Sequence, residues 1–119
     1  MAIISRNHLS GCTDGIPVAL AVDSGTFTTI HTITTTTADF EEVWIWLSNI
    51  STATEVVTLT FGGTSAVNKC IVTVPPETTV LAVPGWTFQG VAGPKTITGG
   101  SVTADKINVF GYINLIDAG

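Results

Sequence analysis

Short runs of Val, Ile, Thr and aromatic residues alternate along the whole chain with clusters of Gly, Pro, Asp and Ser. No segment longer than a few residues keeps the three-to-four spacing of a helix. This pattern predicts an all-β protein. Strands are expected at residues 17–22, 26–34, 40–49, 55–61, 69–74, 78–83, 95–98 and 102–116, with a short extended piece at 86–88. Between them, Asp23-Ser24-Gly25, Gly62-Gly63, Pro75-Pro76, Pro84-Gly85 and Gly99-Gly100 supply the side-chain acceptors, free dihedrals and missing N–H donors that end strands. Gly90 and Gly93 read as loop glycines. About eight such strands make an antiparallel β-sandwich of jelly-roll type the expected fold.

Two strands have an unusual pattern. In FEEVWIWLSN (40–49), Val43, Ile45 and Leu47 share one face, while Trp44 and Trp46 share the other. In KINVFGYINLI (106–116), Ile107, Val109, Ile113 and Leu115 share one face. Phe110, Tyr112 and Ile116 share the other with Asn108 and Asn114, and Gly111 marks a bulge or a close backbone approach. A strand on the outside of a sandwich should be apolar on one face only. Both of these need a second cover, supplied by loops, by an arm or by a neighbouring subunit.

Composition sharpens that expectation. Charged residues make up 11% of the 119-residue chain, against about 25% in ordinary domains. Mean hydropathy is +0.49, and threonine, roughly a sixth of the residues, dominates the polar remainder. A single domain of this size buries about two-thirds of its unfolded surface and holds a core without metals or disulfides. An apolar, weakly charged exterior suits a protein that hides surface in an assembly. With four Lys and Arg and a net charge of −5, there is no footprint for a phosphate backbone, so nucleic acid is excluded as a partner.

Residues 1–15 form an expected extended arm, holding Ile3, Ile4, Arg6 and His8, ahead of a sandwich domain at 16–119. The arm lacks the apolar core of a secretory signal, and no run approaches the roughly 18 residues of a membrane span. The expectation is a soluble protein made in a cytoplasm, without membrane contact. Asn49-Ile50-Ser51 matches a glycosylation sequon that carries no meaning there.

Candidate chemistry is sparse. His8 and Cys12 lie four apart without further ligands nearby. His31, in TFTTIHTITTTT, reads as a hydrogen-bonded strand residue. Cys12 and Cys70 read as two buried thiols. Asp39, Glu41 and Glu42 form the only acidic cluster. Glu41 and Glu42 face opposite sides of a strand, so the cluster reads as a solvated strand start that discourages edge pairing. No nucleophile, metal or phosphate motif is present, so no enzyme, cofactor or metal is expected. The aromatic residues Trp44, Trp46, Trp86 and Phe88 are candidates for packing, or alternatively for stacking sugars.

The strings EVWIWLSNISTATEVVTLTFGGT, VTVPPETTVLAVPG and KINVFGYINLI resemble small β-proteins encoded near the capsid genes of tailed bacteriophages, over roughly residues 26–116. Leu115 departs from the pattern, standing where a basic residue follows the last Asn. The resemblance implies a head decoration (cement) protein. Such a protein sits on the outer capsid surface of the virion as a homo-oligomer, a trimer foremost, and binds the major capsid protein after assembly in the host cytoplasm. It would stabilise the head, with Trp44, Trp46, Phe110 and Tyr112 at the subunit interface and Ile3, Ile4, Arg6 and His8 in a capsid-binding arm. The alternative is a glycan- or receptor-binding β-module of a phage tail or fibre.

Overall fold

The computed structural model describes residues 3–34, 39–89 and 95–117. Gly90, Gly93 and Ala2 lie outside the described residues. The fold is all-β, with two sheets face to face. The strands are β1 (Ile3–His8), β2 (Val18–Ala19), β3 (Ala21–Val22), β4 (Thr28–Ile33), β5 (Phe40–Asn49), β6 (Glu55–Phe61), β7 (Lys69–Val74), β8 (Thr79–Phe88), β9 (Lys95–Ser101) and β10 (Ile107–Asp117). Sheet I runs β1-β10-β5-β8, with β2 sharing the β1 side of β10. Sheet II runs β3-β9-β6-β7, with β4 also on β9. All pairings are antiparallel except the two-residue contact of β3 with β9.

The alternation in sequence sets which side chains face inward. Val43, Ile45 and Leu47 of β5 and Ile107, Val109 and Ile113 of β10 project from sheet I onto Val57 and Leu59 of β6, Ile97 of β9 and Ile30 of β4. Two further core residues come from connections rather than strands. Leu9 follows β1, and Leu20 sits where the chain passes from β2 in one sheet to β3 in the other; both are fully buried. Leu20 also ties the sheets together through its backbone, donating to Ile107 O and accepting from Asp105 N–H. Asn49 is buried at the β5 corner and donates to Ala53 O and Val74 O, so the sequon amide is a clamp between elements.

Strands β5, β6 and β7 run over the expected residues. Elsewhere the structure corrects the expectations, each time for a physical reason. Residues 17–22 form two short strands in different sheets, because burying Leu20 turns the chain there. Pro84-Gly85 does not end a strand. β8 lies at the rim of sheet I, where a missing N–H donor costs nothing on the open side, and two register shifts against β5 absorb the bend. Gly99-Gly100 lies inside β9, where a Cβ at Gly99 would stand 3.1–3.2 Å from Ile30, Leu59 and Leu20. Gly99 leaves room for Ile30 and Leu59 of its own sheet and for Leu20 of the crossover, and Gly100 for Asp23 and Phe27. The last strand begins at Ile107, since residues 102–106 make a turn in which Asp105 adopts φ 61°.

Gly111 carries no bulge. β10 pairs with β5 in unbroken register from Ile107↔Asn49 to Ile116↔Phe40, so the parity of its faces holds throughout. What Gly111 provides is close approach: a Cβ there would lie 2.1 Å from the Trp44 carbonyl oxygen.

Residues 3–15 are built into the domain. β1 pairs along its whole length with β10, from Ile3↔Asp117 to His8↔Tyr112. The segment after it reaches the opposite sheet. Gly11 N–H donates to Ile30 O, Ser10 Oγ accepts from Thr32 N–H, and Cys12 is buried.

Candidate functional site

The outer face of sheet I carries the aromatic residues. Trp44 and Trp46 project from β5 and Tyr112 from β10. Their ring centroids lie 6.3 Å (Trp44–Trp46), 6.2 Å (Trp44–Tyr112) and 5.9 Å (Trp46–Tyr112) apart, with the first two pairs stacked. The register explains the cluster. Tyr112 stands opposite Trp44 and Phe110 opposite Trp46, while Leu81 of β8 flanks Trp46 on its other side. Cross-strand aromatic pairs of this kind stabilise a sheet by up to about 1 kcal/mol each.

Part of the second cover is therefore internal. Trp44 lies against Gly85, whose φ of +75° and missing Cβ leave room for the indole; a Cβ there would stand 2.8 Å from its ring. The cover is incomplete. Trp44, Trp46 and Tyr112 are half-buried, whereas Phe110 is 44% exposed and Leu81 43% exposed.

A polar frame borders the aromatic row. The Arg6 guanidinium sits 4.4 Å from the Tyr112 ring centroid, a cation–π contact, and its Nε donates to Asn114 Oδ1 at 3.3 Å. Asn114 Nδ2 in turn donates to Glu42 Oε1 at 3.0 Å, and Trp44 Nε1 donates to the same oxygen at 2.7 Å. These donors, Trp44 first and Asn114 second, hold the Glu42 carboxyl below its ordinary value, with Arg6 adding a smaller pull. Each bond fixes an aromatic or its neighbour in orientation, so the row is pre-organised.

The four expected interface residues thus occupy one surface. Ile4, Arg6 and His8 share that face through pairing with Ile116, Asn114 and Tyr112, while Ile3 alternates to the other side. Ile3 and Ile4 are 61% and 67% exposed. Sequence reasoning missed Arg6 and Glu42 as parts of the row. The parity of Glu42 with Trp44 was visible, but the contact of Arg6 with Asn114, 108 positions away, had no local signal. Trp86 and Phe88, named as candidates for packing, meet on Phe61, which the sequence did not single out: Phe61 stacks on Phe88 at 5.3 Å, and Trp86, 40% exposed, tilts against it.

The acidic cluster is not a solvated strand start. Glu41 is buried and receives the His31 Nε2–H at 2.5 Å, with Thr34 N–H donating to its other oxygen. His31 Nδ1 accepts from Ser10 N–H at 3.0 Å, which fixes the tautomer with its proton on Nε2. Both ring nitrogens are engaged, so His31 is the hydrogen-bonded strand residue expected. No ring nitrogen is left to take a proton from Ser10 Oγ, which itself accepts from Thr32 N–H. Cys12 is buried as expected, and burial pushes its thiol up; Cys70 is half-buried, and both are free thiols. No group of three or more His, Cys, Asp or Glu side chains converges among the described residues.

Comparison with family models, with curated proteins and with solved structures finds no match for this chain.

Proposed function

We propose that this chain is a non-enzymatic structural component of a virion, binding the outer capsid surface as an oligomer and stabilising the phage head. The observation that carries the reading is the pre-organised aromatic row of Trp44, Trp46 and Tyr112, continued by the exposed Phe110 and Leu81 and edged by Arg6. Trp, Tyr and Arg are the residues that dominate binding energy at protein interfaces. Burying a tryptophan removes on the order of 200 Å² from water, worth about 25 cal/mol per Å², before association entropy is subtracted. A sister subunit, or the major capsid protein, would complete the cover. Repetition around a closed ring and over many capsid sites turns modest contacts into avidity.

The strand order supports the finer fold expectation. Counting β1 and β2 as one strand and β3 and β4 as another, each successive strand of the eight changes sheet except the β6–β7 hairpin, an order of two interlocked Greek keys that we read as a jelly roll. Within this reading the trimer, the virion surface and the role of Ile3, Ile4, Arg6 and His8 toward the capsid follow from the phage resemblance. In the glycan-binding alternative the same aromatic residues would stack on sugars.

The test is light scattering coupled to size exclusion. The wild-type protein is expected to run as an oligomer and Trp46→Ala as a smaller species with a retained β-sheet circular dichroism spectrum. A wild-type monomer, or an oligomer indifferent to the substitution, overturns the reading. Saccharide-dependent quenching of tryptophan fluorescence would favour the alternative.

A further inference from the structure

We infer that the rim of sheet I at β1 is a second, separate joint, where β1 of one copy pairs antiparallel with β1 of another about a two-fold axis through Ser5. All six residues of β1 are exposed, and the strand is bonded on one side only, to β10. Among the described residues no hydrogen bond satisfies the backbone groups on its outer side. Strand edges of this kind are templates for another strand, and proteins ordinarily guard them.

The other rims here are guarded. β8 carries Pro84 and two register shifts. β4 is covered by the segment after β1, through Gly11 N–H to Ile30 O and Ser10 Oγ to Thr32 N–H. β7 begins with Lys69 and ends against Pro75-Pro76. β1 has no proline, lysine or bulge. Its one charge, Arg6, is folded over Tyr112 instead of standing guard.

A second copy is the occupant that satisfies both open rims at once, and residues 3–8 carry no acidic group to oppose it despite the overall charge of −5. Side-chain parity and charge select the register. Directly opposed residues of an antiparallel pair share a face, so only registers that join even to even and odd to odd positions keep the sheet continuous. Of the two such registers that pair five residues, one sets Arg6 against Arg6 of the other copy, which is unfavourable. The other sets Ser5 on Ser5, Ile4 on Arg6 and Ile3 on Asn7. A joint of five residue pairs falls at or below the low end of stable interfaces, about 1,200 Å² in total, so pairing is reversible and depends on concentration. The axis stands perpendicular to the sheet, so both aromatic rows emerge on the same side of the pair. The joint uses the rim and leaves the aromatic face free, so it stands independently of the function proposed above.

The test is cross-linking under mild oxidation in a Cys70→Ser background, which removes the half-buried native thiol. Opposed Cα atoms lie roughly 4.5–5.5 Å apart, inside the window for a disulfide. Ser5→Cys is expected to give a covalent dimer with a yield that rises with protein concentration, and Asn7→Cys, facing Ile3 of the other copy, is expected to give none. Ile4→Lys, at a solvent-exposed position and set against Arg6 of the other copy, should lower the Ser5→Cys yield at least about tenfold at equal concentration while circular dichroism stays unchanged. Absence of the Ser5→Cys dimer, equal yields at the two positions, or indifference to Ile4→Lys overturns the inference. A rim occupied by a strand from another protein would show as the first of these.

Discussion

Gly111 shows how much one missing methyl group can carry. The strand pattern suggested two roles for it, and the unbroken β10–β5 register leaves close approach alone. A Cβ there would meet a backbone oxygen, which cannot swing aside as a side-chain tip can. Gly111→Ala should therefore destabilise the fold by about 3 kcal/mol, the upper range for overpacking, in urea denaturation followed by tryptophan fluorescence. Glu42 gives the second residue-scale prediction. Its carboxyl is held below the ordinary value of 4.5 by Trp44, Asn114 and Arg6 in the folded state only. The charged form then favours folding above that value, and the contribution is lost as pH falls through the lowered one. Glu42→Gln should be less stable than wild type near pH 6, with the difference shrinking as the pH falls below 4.5. A difference that does not change with pH would contradict this.

At the scale of elements, the N-terminal segment is where local pattern and tertiary outcome diverge. IISRNH has little alternation and no turn chemistry to announce a strand, yet β10 gives it one by offering a free rim. What holds it there is the next few residues, since Leu9 is fully buried and Ser10 and Gly11 bond to β4. Leu9→Ala should cost about 2–5 kcal/mol, and hydrogen exchange should accelerate more at residues 3–12 than in β5–β7. Uniform acceleration would mean that the segment is not a separate unit. The strands β5, β6 and β7 were legible to the residue because strong alternation and abrupt breakers coincide at both ends. The limits of β8 and β9 were not, because Pro and Gly break a strand only where the ladder needs their donor or side chain. At a rim, or where neighbouring side chains such as Ile30, Leu59 and Phe27 fill the space, it needs neither.

For the whole molecule, apolar surface exceeds what two facing sheets enclose, and part of the excess, Phe110 and Leu81 beside the half-buried Trp44, Trp46 and Tyr112, lies on the outer face of sheet I. If that face joins subunits, the driving force is burial rather than charge. The oligomer that Trp46→Ala disrupts should then persist at about 1 M salt, where screening reaches down to roughly 3 Å. Dissociation by salt alone would assign the contact to ion pairs instead.

By itself the sequence determined the class of fold, the inward faces of β5 and β10, and the presence of a second apolar face on those two strands. Each follows from a period of two read along one segment. It also placed Trp44, Trp46, Phe110 and Tyr112 as surface candidates, because parity alone separates them from the core. Only the tertiary structure decided that Trp44, Trp46 and Tyr112 stand together beside Arg6 and Glu42, that Glu41 is buried on His31, and that the first strand closes the sheet beside the last. Those outcomes depend on which strands become neighbours, a choice made by pairing between residues as far apart as Ile3 and Asp117.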